Sequence, residues 1–360
     1  MAQWINWGDG HDGSPNSISG TVNTYAAMTA TSGDPTVTTA LSVSTGDQVL
    51  LHQTKHASAA GTWEIVKVAS TGSGTFEATG NLVNSYSTGA QAVLIPQYTG
   101  GTISGTVTGT AWNGTVGGII ALKSNGDLTV SGSLSINTGG FRGTSTSAYQ
   151  GEGYPNTGGD SRSANGNGGG GGNNNNEGGG GGGGGGHAAA GTNGTMGDEG
   201  TRDYGRGGSA VGLAAQTTLF LGGAGGTGGS SWGIAGGAGG TGGGIILIIA
   251  KNFTLSGTLN ANASNGTTPP NSNHPGGGGG GAGGGVLIKT QVAVLGTNKI
   301  NVANGTGGTG QNKGGDGGAG SVGRIRCDYF TSVSGSTTPT LSSAQDTTLF
   351  TPSSNFFLFF

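Results

Sequence analysis

The chain is poor in charged residues, in cysteine and in long apolar runs, and each shortage excludes a class of protein. Its 360 residues include 13 basic and 16 acidic ones, too few cations to neutralise a nucleic-acid backbone. Cys327 is the only cysteine, so a disulfide scaffold is impossible. The longest apolar run, 245–250, is far shorter than the ~20 residues that span a bilayer. We therefore expect no nucleic-acid partner and no transmembrane helix.

Glycine is abundant where those residue types are scarce. The chain has 87 glycines, several times the usual share of ~7%. Helices are disfavoured because each interior glycine costs a helix ~1 kcal/mol. Collagen is excluded because there is no strict three-residue period with abundant proline. Short segments rich in β-branched and aromatic residues, such as 48–53, 62–68 and 92–96, predict an all-β protein.

A glycine pair followed by an apolar strand recurs along the chain. The pairs end at Gly118, Gly244 and Gly285, and the first interval is about three times the second. A continuous apolar strand such as 245–249 needs cover on both faces, whereas the alternating strand after it needs cover on one. Because one unit cannot supply that cover, the units must stack or pair, as a β-sandwich or in a solenoid-like arrangement.

The long glycine tracts, such as 168–172 and 178–186, have two interpretations. They are either flexible linkers or ordered polyglycine II helices, which are extended, threefold and rise ~3.1 Å per residue. Serine is almost absent from the longest tracts, and several tracts directly precede a strand. Bare backbones can also lie close enough to hydrogen-bond to one another. These features favour strands interleaved with packed polyglycine II helices, with the linker interpretation still open.

Composition divides the chain into three parts. Residues 1–145 have fewer glycines and predict an N-terminal β-domain. Residues 146–345 predict a glycine-rich repeat domain with strands and polyglycine tracts. Residues 346–360 form a glycine-free, apolar C-terminal tail.

Two resemblances follow from these patterns. Polyglycine tracts flanked by strands resemble the distal tail-fibre adhesins of T-even-type phages, which implies receptor-binding loops carried on packed polyglycine II helices. Five linked motifs are also similar to a set of glycine-rich surface proteins of bacteria and phages. Neither resemblance supplies catalytic residues. The motifs are Leu51-His52-Gln53, Gly61-Thr62-Trp63-Glu64, Pro96-Gln97-Tyr98, the segment 111–119 (AWNGTVGGI) and Gly139-Gly140-Phe141-Arg142-Gly143.

The candidate recognition residues lie in or beside glycine tracts. His187 and His274 are either exposed tract ends or receptor contacts in loops. Tyr204 and Trp232 have few apolar neighbours in sequence, so each is a local anchor or a stacking platform for a receptor group. The arginines on either side of Tyr204 are solvated loop charges or partners of an acidic or phosphate group. The candidate receptor-binding set is His187, Arg202, Tyr204, Trp232 and His274.

The sequence favours no catalytic, cofactor or metal site. His52 and His56 would lie roughly 13 Å apart on one strand face, too far to share a metal. The segment 9–13 lacks the spaced acidic ligands and the final glutamate of an EF-hand. A carboxylate pair for glycoside hydrolysis could still come from distant strands. We predict a protein that is not an enzyme and has no cofactor, with a β-solenoid polysaccharide-degrading enzyme as the lesser alternative.

These observations predict a phage virion component, a tail fibre or adhesin that presents loops rigidly to a host surface receptor. The receptor would be a glycan or an outer-surface protein, and other virion or fibre subunits would be partners. Many copies in a homo-oligomer would add avidity. The N-terminus lacks the basic and apolar segments of an export signal, which favours the virion. The alternative is a bacterial cell-surface adhesin or a filament subunit extended through exposed strand edges.

Overall fold

The computed structural model describes residues 6–197, 204–270 and 273–349. Within those ranges it contains eighteen strands, one short 3₁₀ helix and no α-helix, so the predicted all-β class is confirmed. None of these residues forms a helix long and apolar enough to cross a membrane. The elements are β1 (Gly20–Thr21), β2 (Tyr25–Ala30), β3 (Thr36–Thr39), β4 (Gln48–Gln53), β5 (Trp63–Gly72), β6 (Thr75–Ala78), β7 (Tyr86–Ile95), β8 (Gln97–Tyr98), β9 (Gly101–Ile103), β10 (Thr106–Thr108), β11 (Ile119–Val130), β12 (Ser133–Ser135), β13 (Ile245–Leu255), β14 (Thr258–Asn260), β15 (Gly285–Thr297), β16 (Ile300–Asn301), β17 (Arg324–Ser336), β18 (Ser342–Gln345) and the 3₁₀ helix Thr347–Leu349.

Six antiparallel strands, β2 to β7, close into a small barrel. β4 lies between β5 and β7, and all of its residues are buried. Successive side chains of a strand point to opposite faces. Val49 and Leu51 therefore pack inside the barrel with Phe76, whereas Leu50 packs outside it. Burial on both faces explains the continuous apolar centre of this strand.

The remaining strands form two parallel sheets that stack repeat on repeat. Three long strands, β11, β13 and β15, are neighbours in a seven-stranded sheet. The short strands that follow them, β12, β14 and β16, are neighbours in a five-stranded sheet. Leu134, Leu259 and Ile300 align across the short strands and share one core with the inner face of the long strands. This arrangement is the solenoid-like alternative of the sequence prediction.

The apolar strand β13 is covered on both faces, as its sequence predicts. Ile246 and Ile248 belong to the core between the two parallel sheets. The residues that alternate with them belong to a second core, which they share with Leu50, Val93 and Ile95 of the barrel. The barrel therefore buries the outer face of the seven-stranded sheet. The alternating residues are Ile245, Leu247 and Ile249.

The seven-stranded sheet joins the two sides of the domain boundary predicted at residue 145. β11 lies before that position and pairs with β13 along nearly its whole length, from Ile119 with Ile245 to Val130 with Leu255. The barrel residues, 25–95, are inserted between β1 and β8, which belong to the parallel sheets. The boundary at 145 stays a sequence prediction, but the sheet itself is continuous across it.

The glycine tracts pack against one another through a backbone hydrogen-bond pattern that repeats every three residues. In the tract 276–284, Gly276 donates to the carbonyl of Gly229, Gly277 to that of Gly315 and Gly278 to that of Thr267. The next three N–H groups donate to the same three neighbouring segments in the same order, and so do the last three. Each tract of this kind is therefore held by three neighbours at once.

The tract 178–186 shows the same period. From Gly179 onward, its N–H groups donate in turn to the segments 274–280, 167–173 and 192–195, and all nine residues of the tract are buried. The two tracts are therefore interior structure, and the linker interpretation is wrong for them. Packed polyglycine II helices, with three residues per turn, would produce this three-residue period. The assignment of the tracts to that helix type stays a prediction. We call the packed tracts between residues 168 and 323 the glycine bundle.

Hydrogen-bond register also gives the direction of each tract. The tract 178–186 runs parallel to 276–284, because Gly182 donates to Gly277 and Gly185 to Gly280. The segment 222–229 runs antiparallel to both, since its donors meet 178–186 in reverse order. The tracts before β13, β15 and β17 lead directly into those strands. One end of the bundle therefore meets the parallel sheets.

The opposite end carries the turns that connect the tracts. The turns 173–177, 230–235 and 309–314 all lie there, together with the described residues of 268–275. We call this the loop end. Because the central tracts beneath it, 178–186, 222–229 and 276–284, are buried and hydrogen-bonded to several neighbouring segments, the fold holds these turns in fixed relation to one another.

Candidate functional site

The loop end brings together three of the predicted recognition residues. Trp232 lies in the turn 230–235, and His274 lies just before the tract 276–284. Tyr204 directly precedes a short segment that runs parallel to 178–186, which places it at the same end. Arg202 lies outside the described residues.

Trp232 occupies the tip of a tight turn. Ser231 and Ile234 pair across it through reciprocal backbone hydrogen bonds of 3.0 and 2.9 Å. Trp232 has a φ of 48°, a left-handed conformation that bulky side chains rarely adopt. Its side chain is 60% exposed. The turn thus holds a large aromatic residue in solvent, at the cost of backbone strain.

The asparagine run 173–176 fixes this turn from the neighbouring loop. Oδ1 of Asn174 accepts hydrogen bonds from the backbone N–H and the hydroxyl of Ser230, at 2.8 and 2.9 Å. Oδ1 of Asn176 accepts the N–H of Trp232 at 3.2 Å, and its backbone oxygen accepts the hydroxyl of Ser231 at 2.7 Å. The two loops therefore form one hydrogen-bonded unit.

Tyr204 forms an internal pair with Arg206. The guanidinium carbon of Arg206 lies 4.6 Å from the centre of the Tyr204 ring. Nη1 of Arg206 also donates to the Tyr204 hydroxyl at 2.8 Å. Arg206 is exposed and Tyr204 is half-buried, so the pair presents a cation backed by an aromatic ring.

His274 is half-buried and takes part in the packing of the loops. Its backbone oxygen accepts the N–H of Gly179 at 2.8 Å. Its Nδ1 accepts the N–H of Lys313 at 3.4 Å, which joins the turn 309–314 to the segment before 276–284. His274 is thus a partly accessible member of the loop end.

The structure corrects the prediction for His187. Both sequence interpretations place this residue at the surface, but it is only 2% exposed and lies at the end of the bundle near the sheets. Its Nδ1 donates to the carbonyl of Gly283 at 2.7 Å, and its N–H donates to the hydroxyl of Ser321 at 2.7 Å. Burial, with the nearby Arg324 cation, lowers the pKa of His187 to about 4. His187 is therefore a neutral structural residue that a receptor cannot reach in the folded chain.

The most buried carboxylates have internal structural partners. Glu152 pairs with Lys55 and Arg142, each at 2.9 Å, and so links the barrel to the glycine-rich segment. The Asp328 carboxylate pairs with Lys289 and with Arg326, each at 2.7 Å. Within the described ranges, no group of three or more His, Cys, Asp or Glu side chains is arranged to hold a metal ion.

Sequence reasoning missed the asparagine run as part of the site. Asn174, Asn175, Asn176 and Glu177 are set between two glycine tracts, and this composition is typical of low-complexity sequence. The available signal was position: an interruption between two packed tracts must be the turn that joins them.

Comparison with protein-family models, curated proteins and solved structures found no match to this chain.

Proposed function

We propose that this chain is a non-enzymatic receptor-binding component of a phage virion, a tail fibre or adhesin, whose loop end contacts a host surface receptor. Trp232 carries the proposal, because it is exposed and its turn is fixed by Asn174 and Asn176. A platform that is already ordered loses little conformational entropy when it binds.

The glycine bundle supplies the rigidity that this role needs. We take its tracts to be polyglycine II helices, in line with their three-residue hydrogen-bond period and with the resemblance to T-even-type tail-fibre adhesins. Long bare-backbone segments allow many tracts to pack in a small cross-section. Several loops then meet at one end, where avidity from multiple copies would strengthen attachment.

The proposal predicts that the purified chain blocks adsorption of its phage to host cells, and that Trp232→Ala removes this effect. Loss of a central exposed aromatic contact is expected to raise the blocking concentration about tenfold or more. Leu213→Ala is the matched control, because Leu213 is 66% exposed and lies in a turn at the other end of the bundle. Adsorption assays with both variants make the comparison.

Equal blocking by the two variants would contradict the role of the loop end. The location of the chain is tested separately, with an antibody against it and electron microscopy. The proposal expects label on the tail fibres of purified virions. Label on the envelope of uninfected bacteria would instead support the alternative, a cell-surface adhesin or filament subunit.

A further inference from the structure

We infer that the loop end binds a neutral oligosaccharide, with Trp232 as the stacking surface. The inference rests on the proposed function, since it names the chemistry of the receptor. The turn that carries Trp232 borders an open concave surface of about 510 Å³, to which it is joined by the hydrogen bond from the Trp232 N–H to Asn176. We call it the Asn pocket. It is lined by Asn174, Asn175, Asn176, Glu177 and Ser230.

The three amide groups of the Asn pocket are oriented by the loop backbone. Oδ1 of Asn174 accepts from the N–H of Ser230, and Oδ1 of Asn176 accepts from the N–H of Trp232. Oδ1 of Asn175 accepts from the N–H of Glu177 at 3.1 Å. A backbone N–H can only donate, so each amide must turn its oxygen inward. Each Nδ2 group consequently points away from the hydrogen bond that fixes its side chain.

This orientation leaves both donors and acceptors for a ligand. Among the residues that the structure describes, none accepts a hydrogen bond from Nδ2 of Asn174, Asn175 or Asn176, and none donates to the carboxylate of Glu177. Sugar hydroxyls donate and accept equally well. Three amide donors beside one carboxylate acceptor therefore match a row of hydroxyl groups.

Charge and shape favour a neutral sugar over other ligands. No lining residue of the Asn pocket is basic, and the Glu177 carboxylate would repel an acidic sugar or a phosphate. The exposed Trp232 ring offers an apolar face with a polar edge, which suits the C–H face of a pyranose. The strained φ of Trp232 also favours a ligand-binding role for this residue, because strain at a bulky exposed residue is typical of ligand-binding positions.

The test is binding of the purified full chain to a printed array of neutral and uronate-bearing bacterial oligosaccharides. We expect binding to neutral oligosaccharides, about tenfold or more weaker for Trp232→Ala. Glu177→Gln, which keeps the shape but removes the charge, should weaken neutral binding and reduce discrimination against uronates. Leu213→Ala should bind as the parent chain does. Matching unfolding transitions establish that all variants fold.

Binding only to uronate-bearing sugars, binding to no sugar, or equal binding by the parent chain and Trp232→Ala would each overturn the inference. These outcomes are distinct from failure of the proposed function. If no sugar binds but Trp232→Ala still fails to block phage adsorption, the loop end remains the receptor-binding surface and the receptor is of another chemical class. If Trp232→Ala changes neither measurement, both proposals fail.

Discussion

Replacing Gly279 with alanine is expected to lower the free energy of unfolding by about 3 kcal/mol or more. Gly279 lies in the middle of the bundle, and its N–H donates to the carbonyl of Gly226 at 2.8 Å. A β-carbon at this position would collide with the carbonyl oxygen of Gly183. That oxygen already accepts the N–H of Gly226, and the N–H of Gly183 is bonded to Gly170. Neither backbone can retreat without breaking bonds to further tracts.

Gly159→Ala is the control for this substitution. Gly159 lies in the same glycine-rich part of the chain, but a β-carbon there would have no atom within 4 Å. Its φ is outside the left-handed region, so alanine should stabilise the fold by ~0.4–1 kcal/mol through the unfolded state. Denaturant unfolding of both variants gives the two free energies. A small effect at Gly279 would show that the tracts are not tightly packed.

Lowering the pH is expected to destabilise the fold at pH values well above those at which carboxylates titrate. His52 and His187 are 1% and 2% exposed, and burial lowers the pKa of each to about 4. In the unfolded chain the pKa of each is near the ordinary histidine value of 6.5. Between these values the unfolded state binds more protons, so the contribution of each histidine to stability is fully present only above about pH 7 and falls as the pH drops. Two such groups remove about 4 kcal/mol between pH 6.5 and 4.5.

Other ionisable groups act outside this window or in the opposite direction. Burial acts to raise the pKa of Glu152, but hydrogen bonds from Arg142 and Lys55 outweigh it, so the pKa lies below its ordinary value of 4.5 and the contribution of Glu152 to stability is lost at lower pH. His11 is desolvated, yet its hydrogen bond to Asp9 raises its pKa, so its contribution is lost as the pH rises above 6.5.

Free energies of unfolding measured from pH 7 to 4.5 test the two histidines. His52→Gln should reduce the slope of stability against pH by about half in this range, whatever its effect at pH 7. His52 suits this substitution because, in the part of the chain that the structure describes, its ring bonds only to the hydroxyl of Thr54 and the carbonyl of Leu219, both at 2.8 Å. A parent chain whose stability is flat between pH 6.5 and 4.5 would contradict the assignment of both residues as buried and neutral.

The sequence predicted those features of the fold that depend on neighbouring residues. The unbroken apolar run 245–249 required cover on both faces, and the structure supplies a core on each side. The place of the glycine tracts before strands indicated order, because linkers need no fixed position. The insertion of the barrel between β1 and β8 was not predictable in this way, since it depends on pairing between distant segments.

The candidate site was predicted only in part, for a similar reason. Trp232 was identified because a large aromatic among glycines has few local partners. His187 has equally small neighbours, but its partners, Gly283 and Ser321, are far away in the chain, so nothing local indicated its burial. The asparagine run has the composition of low-complexity sequence, and only the structure shows that its oxygen atoms hold the Trp232 turn.

Amide hydrogen exchange tests whether hydrogen-bonded bare backbone is the scaffold of this protein. We expect the amides of 178–186 and 276–284 to be protected to within about tenfold of those in β13, because they open only when the bundle unfolds. Exchange of these amides at the rate of an unstructured peptide, with β13 still protected, would show that the tracts are loops. The rigid platform would then be ruled out.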